Sequence, residues 1–143
     1  MQISQADQQG RVNQRRMIER LLEAAEHLQP AETAMVRAIY DRGMNCTEFA
    51  RASGRSPSFV RRRLARLINR IKDPLFQFVI RESRHWPKRR ATVAKAVVLH
   101  GRSQRETAEM LGLSLYEVRR QMQQIRVLRE NSEIETKPRH VHC

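Results

Sequence analysis

Two stretches of this chain decide its fold, because each contains one copy of the same sequence pattern. Residues 43–64 read GMNCTEFARASGRSPSFVRRRL, and residues 101–122 read GRSQRETAEMLGLSLYEVRRQM. Aligned from Gly43 and Gly101, the two copies share a Glu, an Ala, a second Gly, a Ser, a Val and an Arg-Arg pair at matching positions. Self-similarity at a fixed spacing indicates that one structural unit occurs twice.

Each shared position suits a short helix, a turn and a second helix. The first helix can be capped by Asn or Ser, with Glu three residues later as a capping-box partner. A glycine then supplies the left-handed turn, and a serine caps the second helix, whose apolar residues fall on one face. These positions are Asn45, Gly54, Ser56, Val60 and Leu64 in the first copy, and Ser103, Gly112, Ser114, Val118 and Met122 in the second. A small alanine, Ala50 or Ala108, stands where the second helix crosses the first.

These residues resemble a known family of domains. Each copy is similar to the C-terminal helix-turn-helix of bacterial sigma factors, their region four. The likeness is closest over residues 34–67 and looser over residues 93–127. No aromatic-rich segment resembles the promoter-melting region of a complete sigma factor. The resemblance therefore implies DNA-binding domains rather than a whole initiation factor.

The charge of the chain points to the same class of partner. Lys and Arg number 28 against 15 Asp and Glu, and 24 of the 28 are arginine. By segment, the net charge is 0 over residues 1–30, +6 over 31–71, +8 over 72–129 and −1 over 130–143. Localised positive charge indicates a polyanionic partner, nucleic acid first and an anionic membrane surface second. A solvated basic surface is the alternative.

Other functional classes lack support in the sequence. No apolar run is long enough to span a membrane, the first ten residues do not resemble a secretory signal, and two cysteines do not make a disulfide framework. No spacing typical of catalysis or of cofactor binding occurs, so we expect neither an enzyme nor a cofactor. His140, His142 and Cys143 are too few to predict a metal site. Cys46 is interpreted as a small buried residue, with a redox sensor as the alternative. We expect a cytoplasmic, nucleoid-associated protein.

We predict an all-α protein with two tandem helix-turn-helix units. Residues 1–30 hold a polar segment, unstructured to residue 9, and an amphipathic helix; residues 31–72 form the first unit. Residues 73–86 form a connecting helix or linker, which either joins the halves internally or forms a dimer seam. Residues 87–129 form the second unit, and residues 130–143 are expected to be disordered.

The second helix of each unit is expected to face the major groove with its first turns. Arginine can bind guanine O6 and N7 in a bidentate manner, and glutamine can pair with adenine. For the arginines, a phosphate contact and a base contact remain equally open. The predicted DNA contacts are Thr47, Ser56, Pro57, Ser58, Arg61, Arg62 and Arg66 in the first copy, Gln104, Ser114, Leu115, Tyr116, Arg119, Arg120 and Gln123 in the second, and Lys88, Arg89 and Arg90 before it.

The sequence thus predicts a transcriptional regulator that binds double-stranded DNA sequence-specifically. Two alternatives stay open. One is a sigma-like accessory module in which one copy binds RNA polymerase, with the looser second copy as the candidate. The other is an architectural role in packaging, partition or recombination. A homodimer through the N-terminal or the connecting helix also stays open, and no membrane partner is expected.

Overall fold

The protein is all-α. The computed structural model describes residues 4–136, and these form eight α-helices and no strand. The chain consists of two compact units, with the boundary between Lys72 and Asp73. None of the described helices is long and apolar enough to cross a bilayer.

The first unit consists of four α-helices. Helix α1 spans Gln5–Ala24 and ends in a single tight turn, Ala25–His27. Helix α2, Pro30–Val36, runs into a wider turn over Arg37–Asp41. Helices α3 and α4 span Cys46–Ser53 and Pro57–Lys72.

The second unit repeats this order. Helix α5 spans Pro74–Glu82 and ends in a tight turn, Ser83–His85. Helix α6, Lys88–Ala94, runs into a wide turn over Lys95–Leu99. Helices α7 and α8 span Gln104–Leu111 and Leu115–Thr136. Every boundary from the tight turn to the start of the last helix lies 58 residues after its counterpart, as Ala25 and Ser83 or Pro57 and Leu115 illustrate.

The N-caps predicted from the repeat are present in both units, and the predicted reciprocal capping box forms in the first. Asn45 and Glu48 form a reciprocal capping box, with 2.8 Å from the Glu48 N–H to the Asn45 Oδ1 and 3.3 Å for the return bond. Ser103 accepts from the backbone N–H of Glu106 at 3.0 Å. The hydroxyls of Ser56 and Ser114 each accept a backbone N–H three residues later, at 3.1 Å. Helices α3, α4, α7 and α8 therefore begin where the sequence predicts.

The glycine turns are also confirmed. Gly54 and Gly112 adopt left-handed φ angles of 71° and 65°. In each turn the residue after the glycine donates its N–H to the carbonyl of an alanine five residues earlier, at 2.9 Å to Ala50 and 3.0 Å to Ala108. This closure satisfies carbonyls that the helix end would otherwise leave unpaired.

The cores of the two units use equivalent positions. The inward residues predicted on α4 and α8 are buried, and Ala50 and Ala108 lie buried where the helices cross, as predicted. Burial extends further upstream than the sequence repeat indicates, since Leu21 of α1 and Val79 of α5 occupy matching buried positions. In the second unit the ring of Phe78 also packs on Trp86, with centroids 5.7 Å apart. Residues 73–86 therefore form the first helix and turn of the second unit's own core.

Two terminal expectations are wrong. Helix α1 begins at Gln5, with Ser4 as its cap, so residues 5–9 are helical instead of unstructured. Helix α8 continues to Thr136, so the disorder expected from residue 130 does not hold for residues 130–136. An ion pair at 2.7 Å between Arg129 and Glu133, four residues apart, supports this last stretch of helix. Residues 137–143 lie outside the described part of the chain.

Candidate nucleic-acid interface

The outward face of α4 carries several exposed cations. Ser58, Arg61, Arg62 and Arg66 are exposed, and Pro57 at the helix start is half-buried. Within residues 4–136, these three arginines form no ion pair. The three arginines follow Ser58 by three, four and eight residues, which places the set on one side of the helix. This side is opposite the buried residues of α4, as predicted.

The matching face of α8 has the same arginine pair, but the residues beside the pair are different. Arg119, Arg120 and Gln123 are exposed, Leu115 is half-buried, and Tyr116 is 74% exposed. Tyr116 therefore stands at the position that Ser58 has in the first unit. The face combines an aromatic ring with two guanidinium groups.

An acidic residue modifies this second face. The Glu117 carboxylate lies 3.5 Å from Arg89, 3.9 Å from Arg120 and 3.1 Å from the side-chain amide of Gln121, which donates to it. The hydrogen bond from Gln121, with the charges of Arg120 and Arg89, lowers the pKa of the Glu117 carboxyl group, although partial desolvation opposes this. Glu117 therefore stays ionised and offsets part of the positive charge. The first unit has Phe59 at this position.

The three residues of the predicted basic cluster at the start of α6 differ in exposure and in partners. Lys88 and Arg89 are exposed, and Arg89 pairs with Glu117. Arg90 is half-buried and donates to two glutamines of α8, at 3.4 Å to Gln121 and 2.9 Å to Gln124. Arg90 thus ties α6 to α8, whereas Lys88 and Arg89 remain accessible from outside.

The other predicted contacts lie at the starts of helices. Thr47 is exposed in the first turn of α3, and Gln104 is half-buried at the first residue of α7. Ser56 and Ser114 are exposed, with their hydroxyls engaged as caps of α4 and α8. Helix starts of this kind favour phosphate binding.

One basic residue beside the α4 face was not predicted. The guanidinium of Arg55 stacks over the Phe59 ring, with 4.9 Å to the ring centroid. This contact fixes an exposed cation at the turn into α4. The residue at the same place in the second unit is Leu113. An Arg and a Phe four residues apart across a turn form no established sequence signal, so sequence reasoning had no ground to select Arg55.

The segments that contain the two faces differ in net charge. Residues 46–72, which form α3, the turn and α4, contain eight basic residues and one acidic residue, a net charge of +7. The matching residues 104–130 contain five basic and four acidic residues, a net charge of +1. The two units thus have the same order of helices, but the matching residues of the second unit carry a smaller net positive charge.

The candidate metal ligands at the C-terminus are not part of this site. His140, His142 and Cys143 lie outside the described residues. Within residues 4–136, no three His, Cys, Asp or Glu side chains come together in a way that would hold a metal ion. Cys46 is half-buried at the start of α3 with a free thiol, which differs from the fully buried position expected.

Comparison of the chain with protein-family models, with curated proteins and with solved structures finds no match.

Proposed function

We propose that this protein binds double-stranded DNA sequence-specifically through two helix-turn-helix units, α3–α4 and α7–α8, and regulates transcription. The observation that carries the proposal is the repeated arginine pair. Arg61-Arg62 and Arg119-Arg120 stand at the same place on two helices that begin after the same glycine turn, and all four side chains are exposed. Exposed arginine side chains contribute little to the packing of a helical bundle, so stability alone does not explain why the pair is repeated.

Charge and geometry support DNA as the partner. Arg61, Arg62 and Arg66 form no ion pair within the described residues, and phosphate and guanine are the acceptors that a guanidinium fork fits best. The first turns of such a helix fit the major groove, where base edges can be read. In this arrangement α4 and α8 are the recognition helices.

Binding of labelled duplex DNA, followed by fluorescence anisotropy, tests this function. Arg61→Ala/Arg62→Ala is expected to weaken binding about tenfold or more, because each bidentate contact contributes about 1–3 kcal/mol. Arg15→Ala/Arg16→Ala is the matched control, since it removes an equally exposed pair from α1. Equal losses for both pairs would reject a specific role for α4.

A second candidate is that the second unit binds a protein such as RNA polymerase while the first binds DNA. The lower charge of residues 104–130 favours it. Under this candidate, Arg119→Ala/Arg120→Ala leaves DNA affinity unchanged and abolishes capture of purified RNA polymerase. Loss of DNA affinity without an effect on polymerase capture rejects it.

A further inference from the structure

The face that α8 presents combines exposed apolar and cationic groups. Tyr116 is 74% exposed and lies on the same side of the helix as Arg119 and Arg120, which follow it by three and four residues. Leu115, one residue earlier, is half-buried. Tyr116 lies in the first turn of the proposed recognition helix, and burial in the core does not explain its size. The first unit has the small polar Ser58 at the same position, so this large exposed ring is a feature of the second unit alone.

The recognised groups follow from the chemistry of this face. In the major groove, thymine is the one base that presents a methyl group, and apolar side chains contact that methyl. The neighbouring arginines fit guanine O6 and N7 or phosphate. An apolar patch that is flanked by guanidinium groups is therefore complementary to a thymine within a polyanion.

We propose that Tyr116, assisted by Leu115, makes the second unit specific for thymine, so that the two units read different half-sites. This inference rests on the proposed DNA-binding function. The first unit has the small polar Ser58 where the second has Tyr116, so it lacks this exposed aromatic contact for a thymine methyl group. The two half-sites thereby differ in whether a tyrosine reads a thymine in them.

Replacement of thymine by deoxyuridine tests the inference, because it deletes the methyl group and keeps base pairing. The full chain is first used to select its site from random duplex DNA, and each thymine of the site is then replaced singly. Wild-type protein should lose about three- to fourfold in affinity at one thymine of the second half-site, the factor expected for one buried methyl group. Tyr116→Ser, which installs the residue of the first unit, should abolish that loss. The matched control Val127→Ser changes an apolar residue of the same helix that is 47% exposed, and it should leave the loss intact.

Each other outcome overturns the inference in a distinguishable way. One outcome is selection of a two-part site whose affinity does not change when thymine is replaced by deoxyuridine, or changes equally in the wild type and Tyr116→Ser. Either result rejects recognition of thymine by Tyr116 and is compatible with the proposed DNA-binding function. Selection of the first half-site alone rejects it too, and assigns the apolar face of α8 to a protein partner. Selection of no site rejects the proposed function together with the inference.

Discussion

Glu117 places a negative charge between cations that are proposed to bind DNA. Its carboxylate contacts Arg89 and Arg120, and it repels a nearby phosphate. Glu117→Gln should therefore bind duplex DNA severalfold more tightly and show a steeper fall of affinity with salt. Glu19→Gln, an equal change of charge on the exposed side of α1, is the control and should have little effect. Weaker binding by Glu117→Gln would show that Glu117 positions the arginines instead of opposing them.

The lowered pKa of Glu117 makes this effect depend on pH. Above the ordinary carboxyl pKa, Glu117 is charged in the wild type, and the variant retains its full advantage in affinity. As the pH falls through the lowered pKa, the wild-type carboxylate is protonated and the two affinities converge. The contribution of Glu117 to stability follows the same course, being present above the ordinary pKa and lost as the pH falls through the lowered one. Anisotropy titrations of both proteins across acidic pH check the convergence.

Gly54 and Gly112 hold left-handed backbone angles that other residues adopt at a cost. Gly54→Ala or Gly112→Ala should destabilise the protein by about 1–2 kcal/mol through backbone strain alone, because a Cβ there meets no atom within 4 Å. Gly10→Ala, in the middle of α1 and equally open, should instead stabilise by about 0.5–1 kcal/mol. Chemical denaturation measures all three. A Gly54→Ala variant as stable as the wild type would contradict the turn described here.

At the scale of the elements, a buried ion pair joins α2 to α4. Glu32 is 4% exposed and accepts from the Arg70 guanidinium at 2.6 Å. Glu32→Gln should cost about 3–5 kcal/mol, because it leaves the Arg70 charge without its partner in a poorly solvated site. The control Glu26→Gln breaks an exposed pair with His27 and should cost almost nothing. Addition of Arg70→Met should recover part of the loss. A Glu32→Gln variant of wild-type stability would reject this role.

The sequence was most informative where an element is set by local backbone chemistry. The starts of α3, α4 and α7 follow from Asn45 and the serine caps, and the ends of α3 and α7 follow from the glycine turns, all of which act within a few residues. The equivalence of α1 and α5 could not be predicted, because it rests on burial at Leu21 and Val79 without any shared polar signal. Helical periodicity alone was enough to predict which side of α4 is exposed. Two further features could not be predicted, because they depend on contacts between side chains that spacing alone does not determine. They are the ion pair between Glu117 and Arg120 and the hydrogen bonds of Arg90 to α8.

At the scale of the whole molecule, each unit has its own set of buried residues, and this predicts separate folding. Leu67 and Ile71 complete the buried side of the first unit, and Met122 and Ile125 do so in the second. Fragments 1–72 and 73–143 should each give a helical circular dichroism spectrum and a cooperative thermal transition. A fragment that is unstructured alone but folds when mixed with the other would contradict this division.

The central claim is that two units of one chain read two parts of one DNA site. Selection of bound sequences from random duplex DNA tests it most directly, with the wild type, Arg61→Ala/Arg62→Ala and Arg119→Ala/Arg120→Ala compared in parallel. We predict a two-part motif in the wild type and the loss of a different half in each variant. Enrichment of no motif, with an affinity that simply falls steeply as salt rises, would contradict the claim and leave only electrostatic binding.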